Sequence, residues 1–117
     1  MKLAIFIPAF NEEVTLGKVL DTIPPHFKGI AEYKVFVIDD GSTDRTIQVA
    51  RAHGAEVVTL KHRGLAQAFK IGLENTLAWG ADVICHLDAD GQYDSTEIGK
   101  VIEPILQKKA EMVIGNR

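Results

Sequence analysis

Two aspartates one residue apart, Asp88 and Asp90, are the feature of this sequence that most directly suggests chemistry. They follow an apolar run at residues 83–85 and are themselves followed by Gly91 and Gln92. Two carboxylates this close repel each other unless water or a cation separates them. If the preceding strand continues, its period of two points both carboxylates the same way. Oxygen ligands of this kind suit Mg²⁺ or Mn²⁺, which keep several waters and take further ligands from phosphates.

The residues after the pair narrow the choice of site. Gln92 offers a carbonyl oxygen as a further ligand, and Gly91 relieves crowding where a ligand approaches the backbone. An EF-hand calcium loop would need glycine in place of Tyr93 and glutamate in place of Gly99, so it is excluded. A haloacid-dehalogenase-type phosphatase also uses D-x-D-G, with the first aspartate as nucleophile. That alternative stays open, although its motif normally ends the first strand and has Thr or Val where Gln92 stands.

Length, composition and charge bound the class of protein. The chain has 117 residues, 46% hydrophobic and 25% charged, which predicts one folded domain over residues 1–117. The net charge of -3 argues against nucleic acid as the main partner. No apolar run approaches the ~20 residues that span a bilayer. The single cysteine, Cys85, excludes an internal disulfide, fits a cytoplasmic location and lies in an apolar run typical of a core thiol.

Short runs rich in Val and Ile alternate with helical patterns along the chain. The runs predict strands at residues 3–7, 34–38, 56–60, 82–87 and 111–114, and their nearly continuous apolar character suits strands buried on both faces. This alternation predicts an α/β fold: an open, mostly parallel sheet with helices on both faces and right-handed crossovers. In such sheets ligands bind beyond the carboxyl ends of the strands.

Capping residues and apolar spacing predict four helices between the strands. We expect Asn11 to cap the first helix, which the two prolines at residues 24–25 stop, and Ser42 or Thr43 to cap the second. A fourth helix is expected to begin near Asp94. The third is expected over residues 64–79, with one apolar stripe formed by Leu65, Phe69, Leu73 and Leu77.

Acidic residues collect at the predicted carboxyl ends of the strands. Several acids on one rim are unfavourable without a compensating cation, so the collection itself favours a metal-dependent site. Strand one is followed by PAFNEE rather than G-x-G-x-x-G, which excludes a dinucleotide-binding fold. The acids on the rim are Glu12, Asp39, Asp40, Asp44, Asp88 and Asp90.

Four motifs in order, IFIPAFNEE, VFVIDDGSTDRT, GLAQAFKIGL and VICHLDADGQYD, resemble those of family 2 glycosyltransferases with the GT-A fold. The resemblance covers essentially the whole chain. It implies that the chain is the N-terminal, nucleotide-sugar-binding half of such an enzyme. DADGQYD is in particular similar to transferases that use polyprenyl phosphates, such as dolichol-phosphate-mannose synthases.

The resemblance implies roles for individual residues on the first two loops. It places Pro8, Ala9, Phe10 and Glu12 on the first wall of the nucleotide pocket, with Glu12 near the ribose. Phe10 stands where many relatives have Tyr. Asp39 matches the acid that contacts the base, with Asp40 beside it in the pocket. His62 stands where relatives often have Asn and receives no role.

The same resemblance assigns the metal-binding and diphosphate-binding residues. Asp88 is implied to lie close to the ribose and the metal, and Asp90 to ligate the metal directly and so to be the catalytic residue. Gln92 is implied to be the added metal ligand of the polyprenyl-phosphate subgroup. Arg117 closes a V-x-G-x-R element and is expected near the diphosphate or the sugar.

Together these assignments imply a metal-dependent, inverting transfer of a sugar from a nucleoside diphosphate to an acceptor, with a polyprenyl phosphate favoured. In the family the acceptor region lies beyond the point at which this chain ends. We therefore expect a truncated protein that acts at the cytoplasmic face of a membrane, and self-association, as a dimer, through the uncovered apolar surface. A nucleotide-sugar-binding module without transfer activity remains the alternative.

Overall fold

The computed structural model describes residues 1–90, residue 98 and the strand Val113–Ile114. Strands and helices alternate in this part of the chain, as the sequence predicts. The elements are β1 (Lys2–Ala9), α1 (Leu16–Asp21), β2 (Glu32–Asp39), α2 (Thr46–Ala52), β3 (Glu56–Thr59), α3 (Leu65–Trp79), β4 (Val83–His86) and β5 (Val113–Ile114).

The strands form one sheet in the order β3-β2-β1-β4-β5, and every described pair is parallel. The predicted α/β class and parallel sheet are confirmed. β1 lies at the centre, so its residues 3–7 are buried from both sides, and this run is apolar throughout. Because all strands run the same way, their carboxyl ends meet at one edge, where the predicted site residues follow.

Helices cover both faces of the sheet, as predicted. Alternate residues of β1 supply the two cores: Leu3 and Ile5 pack on the face of α1 and α2, while Ala4 and Phe6 pack on the face of α3. Apolar burial on two faces of one central strand is what fixes the position of its carboxyl end.

No helix of the described residues is long and apolar enough to cross a membrane.

The predicted beginnings of the first two helices were wrong. α1 begins at Leu16 rather than after Asn11, and α2 begins at Thr46 rather than after Ser42 or Thr43. The expected capping residues lie in two loops and form hydrogen bonds with each other instead of capping the helices that follow them. The fourth helix expected near Asp94 lies largely outside the described residues. Within its expected range the structure describes Ile98, which is helical and buried.

The apolar stripe predicted for α3 was also wrong in part. Its two end members, Leu65 and Leu77, are 69% and 62% exposed, while the buried residues are Ala68, Gly72 and Thr76. A Cβ atom on Gly72 would overlap the buried Phe6 ring, only 2.8 Å from its Cε2 atom. The helix therefore approaches the sheet through its small residues, while the two middle members of the predicted stripe, Phe69 and Leu73, are partly buried and pack against the same core.

Candidate active site

A cavity of about 390 Å³ lies at the carboxyl edge of the sheet, between the ends of β1 and β4 and the first turns of α3. Seven of the residues assigned to a nucleotide or metal site line it, and three more come from α3 and the turn after β4. The ten residues are Pro8, Ala9, Phe10, Glu12, Asp40, Leu65, Ala68, Asp88, Ala89 and Asp90.

Asp88 and Asp90 lie on the same side of the chain, as their spacing predicts. β4 ends at His86, yet burial continues to alternate beyond it: Leu87 and Ala89 are buried, whereas Asp88 is half-buried and Asp90 exposed. The two buried residues pack into the core on the α1 and α2 face. The two carboxylates consequently line the cavity together.

The loop that carries Glu12 is held by the loop after β2. Asn11 has a φ of +52° and its backbone N–H donates to Ser42 Oγ at 2.8 Å. Its side-chain Oδ1 accepts from the N–H of Thr43 at 2.8 Å and from that of Asp44 at 3.4 Å. Glu12 N–H donates to Thr46 Oγ1 at 2.9 Å. These reciprocal bonds fix the two loops as one unit beside the cavity.

Thr15 joins this unit to the turn that contains the two aspartates. Its Oγ1 lies 2.7 Å from the carbonyl oxygen of Ala89 and 2.9 Å from Glu12 Oε2. The sequence predicts no role for Thr15 in the site, because a threonine before a helix is typical of an ordinary cap. Its contact with a residue 74 positions away is visible only in the folded chain.

Asp39 and Asp40 lie side by side in sequence but face different surroundings. Asp40 is 5% exposed, and its carboxylate accepts from the N–H of Arg63 at 2.6 Å and of Gly64 at 2.9 Å. It thereby fixes the loop that leads into α3 and forms part of the cavity wall. Asp39 is not among the described residues that line the cavity. Its Oδ2 accepts from Ser42 N–H, while its buried Oδ1 has no hydrogen-bond partner.

Asp44, which the sequence placed on the acidic rim, is used within the loops and does not line the cavity. Its Oδ1 accepts from the backbone N–H and the hydroxyl of Thr46, and its Oδ2 from the N–H of Glu13 at 3.3 Å. Desolvation raises the pKa of Asp44, but the hydrogen bonds from Thr46 and Glu13 outweigh it, so the net pKa lies below 3.8.

Aromatic rings form one side of the cavity mouth. Phe10 is 41% exposed, and its ring centroid lies 4.4 Å from that of His62 with an angle of 35° between the planes. His62 has a φ of +53°, and its Nδ1 lies 3.3 Å from the carbonyl oxygen of Asp40. His62 therefore extends the apolar surface of Phe10, a contact that the sequence did not predict.

The last two residues of β4, Cys85 and His86, precede the aspartate pair in the chain. Burial raises the pKa of the Cys85 thiol to about 12, which makes it a core thiol, as expected, rather than a nucleophile. The His86 ring packs against Phe6 and Phe69, with centroids 5.2 and 5.3 Å away. Its Nε2 lies 3.8 Å from Asp88 Oδ1, so the histidine ring lies beside the first aspartate of the pair.

The donor set fits a hard divalent cation only in part. Among the described residues, no three His, Cys, Asp or Glu side chains converge closely enough to hold a metal ion. Two carboxylates on one cavity nonetheless suit Mg²⁺ or Mn²⁺, which bind proteins through one or two carboxylates and fill the remaining positions with water and phosphate. Gln92 and Arg117, the other residues assigned to the metal and the diphosphate, lie outside the described residues.

The chain is similar in sequence to a known protein family and to individual members of known function. The sequence profile of Glycosyl transferase family 2 matches residues 4–117. The UDP-N-acetylglucosamine–dolichyl-phosphate N-acetylglucosaminyltransferase of Methanococcus voltae is 30% identical over 97% of the chain and 51% of its own length. The undecaprenyl-phosphate mannosyltransferase of Micrococcus luteus is 33% identical over 100% of the chain and 49% of its own length. The chain thus spans about half the length of these curated relatives.

A solved structure with the same fold was crystallised with ligands. Glucosyl-3-phosphoglycerate synthase from Mycobacterium tuberculosis, in complex with Mn²⁺, UDP-glucose and phosphoglyceric acid, superposes with a TM-score of 0.70 at 27% identity. The match covers 90% of this chain and 39% of the synthase chain.

Proposed function

The chain belongs to glycosyl transferase family 2, and from this premise we propose that it is the donor-binding part of a metal-dependent sugar transferase. Its donor is a nucleoside diphosphate sugar, and its acceptor is a polyprenyl phosphate. The observation that carries the proposal is the cavity at the sheet edge, which brings Glu12, Phe10, Asp88 and Asp90 to one place.

The cavity offers a separate surface for each part of the donor. The exposed Phe10 ring gives a flat apolar face for a base, and Glu12 offers a carboxylate to ribose hydroxyls. Asp39 does not line the cavity, so its contact with the base rests on the family motif, which its buried Oδ1 supports only by having an unused acceptor position. Asp88 and Asp90 repel a bare diphosphate, which is why a cation must accompany the donor.

The departing nucleoside diphosphate explains the aspartate pair. A bound Mg²⁺ or Mn²⁺ acts as a Lewis acid that neutralises the charge developing on the leaving diphosphate. In this proposal Asp90, with Asp88 and Gln92, holds the cation, and Arg117 adds a bidentate contact to the diphosphate or the sugar. The synthase crystallised with Mn²⁺ and UDP-glucose supports the use of a divalent cation.

The acceptor assignment is supported by the chemistry of the reaction and by two relatives named for dolichyl-phosphate and undecaprenyl-phosphate transfer. A phosphate oxygen is anionic near neutral pH, so it attacks the anomeric carbon without a strong general base. A single displacement of this kind inverts the anomeric configuration. With a lipid acceptor, the reaction occurs at the cytoplasmic face of a membrane.

Calorimetric titration with UDP- and GDP-sugars, with and without Mn²⁺, tests the donor site. We expect binding that depends on the metal, and we expect Asp90→Ala to lose the metal-dependent part while the fold is retained. Glu74→Ala, which removes an exposed carboxylate on α3, is the matched control and should bind as the wild type. A wild-type chain that gains no affinity from Mn²⁺ with any of these donors would refute the donor-site proposal.

A second assay separates a transferase from a binding module. Labelled donor is incubated with an undecaprenyl phosphate in detergent micelles and Mn²⁺, and label in the lipid fraction is measured. Transfer by this chain supports a complete catalytic centre. Metal-dependent donor binding without transfer supports the module, which would then need the further length that the relatives have.

A further inference from the structure

Thr15 occupies the point where two arms of the cavity meet. One arm is the loop after β1, which carries Glu12, and the other is the turn after β4, which carries Asp88 and Asp90. The Thr15 hydroxyl oxygen lies 2.9 Å from Glu12 Oε2 and 2.7 Å from the carbonyl oxygen of Ala89. It therefore contacts both arms with a single atom.

The contact with Ala89 acts on Asp90 through the backbone. The Ala89 carbonyl and the Asp90 N–H belong to one planar peptide group, so a bond to the carbonyl fixes the orientation of that plane. The Leu87 N–H donates to the carbonyl oxygen of Phe6 at 3.1 Å, and the Thr15 contact anchors the chain two residues further on. Thr15, the residue that precedes α1, thus fixes the backbone orientation at Asp90.

The Thr15 hydroxyl has one hydrogen and two acceptors within reach, so it donates to one of them at a time. A ribose hydroxyl that donates to Glu12 Oε2 competes with Thr15 for that oxygen and so favours donation by Thr15 to Ala89. That donation strengthens the anchor of the aspartate turn. Binding of the nucleotide at Glu12 thereby fixes the turn that carries Asp88 and Asp90 more firmly.

We infer that Thr15 is a positioning residue that couples nucleotide binding at Glu12 to cation binding at Asp88 and Asp90. The inference rests on the proposed function of the cavity and adds a residue to it. Thr15 also stands at the N-cap of α1, but its side chain makes no capping hydrogen bond there. Removing the hydroxyl consequently leaves the helix cap unchanged, so a purely structural role predicts no specific effect on the cation.

Three variants of Thr15 test the coupling in the 117-residue chain. Thr15→Val keeps the shape and removes the hydroxyl, Thr15→Ala removes the hydroxyl and the methyl group, and Thr15→Ser keeps the hydroxyl. The affinity for UDP and for GDP is measured in EDTA and in excess Mn²⁺. For each nucleotide, the affinity in Mn²⁺ divided by the affinity in EDTA is the gain from the metal. Thermal unfolding of each variant is recorded as well.

We expect the gain from Mn²⁺ to fall by about three- to tenfold in Thr15→Val and Thr15→Ala, the worth of one hydrogen bond. Thr15→Ser should retain the wild-type gain, and the affinity in EDTA should change by less than the gain does. If Thr15→Val fails to fold, Thr15→Ala gives the same comparison.

Two results would overturn the coupling. One is a full Mn²⁺ gain in Thr15→Val or Thr15→Ala, and the other is a gain that follows side-chain volume rather than the hydroxyl. Both differ from a wild-type chain without any gain, which refutes the proposed function itself.

Discussion

The carboxylate of Asp40 is predicted to hold the loop between β3 and α3, and replacing it with an amide tests this directly. Both oxygens accept backbone N–H groups, from Arg63 at 2.6 Å and from Gly64 at 2.9 Å, and the residue is 5% exposed. In Asp40→Asn one oxygen remains, while the new NH₂ group faces a backbone N–H that also needs an acceptor. One charge-assisted bond is lost and a buried donor is left without a partner.

The loss can be estimated from these two contributions. A hydrogen bond to a charged group contributes about 1.5–3 kcal/mol, and an unsatisfied buried donor costs about 1–3 kcal/mol, so we expect Asp40→Asn to lower the free energy of unfolding by about 2.5–6 kcal/mol. With a urea slope of about 2 kcal/mol/M, the unfolding midpoint should fall by about 1–3 M. That is a large part of the total of about 5–15 kcal/mol typical of a domain.

Urea unfolding followed by circular dichroism measures the midpoint, with Glu74→Gln as the control that removes one exposed negative charge from α3. The control should shift the free energy of unfolding by less than about 0.5 kcal/mol. An Asp40→Asn midpoint equal to that of Glu74→Gln would show that the carboxylate does not anchor the loop. The position of the cavity wall at Leu65 would then need a different physical cause.

Three further changes test the packing and the charges. Gly72→Ala places a methyl group 2.8 Å from Cε2 of the buried Phe6 ring and should lower the free energy of unfolding by about 1–3 kcal/mol in thermal scans; a stabilised variant would contradict the close approach of α3. Cys85, with its pKa raised to about 12, should not react with a disulfide reagent at about pH 8 until urea unfolds the chain; equally fast labelling of the native chain would contradict its burial. The pKa of Asp44 is lowered on folding, so its stabilisation is present above the unfolded value of 3.8 and is lost as pH falls through the folded value. Below about pH 4, Asp44→Asn should therefore lose less stability with falling pH than the wild type does. Equal losses in urea unfolding of the two chains across this pH range would refute this.

The sequence alone determined the parallel α/β fold and most of the cavity. Short runs of Val and Ile that alternate with helical patterns favour strands buried between two layers of helices, and parallel strands bring their following residues to one edge. That is why Pro8, Glu12, Asp88 and Asp90 could be expected to meet from their positions in the chain. The roles of Gln92 and Arg117 stay predictions, because both lie outside the described residues.

Tertiary structure decided the features that local patterns leave ambiguous. Asn11 and Thr43 carry the side chains of helix caps, but two loops that meet in space offered them other partners. Leu65 and Leu77 have the spacing of a buried stripe, yet both are exposed, because the helix approaches the Phe6 ring at Gly72, where a Cβ atom would not fit. The link from Thr15 to Ala89 spans 74 residues, so no local pattern encodes it. The strands follow from short-range periodicity, whereas the hydrogen bonds that orient the site depend on which distant segments the fold brings together.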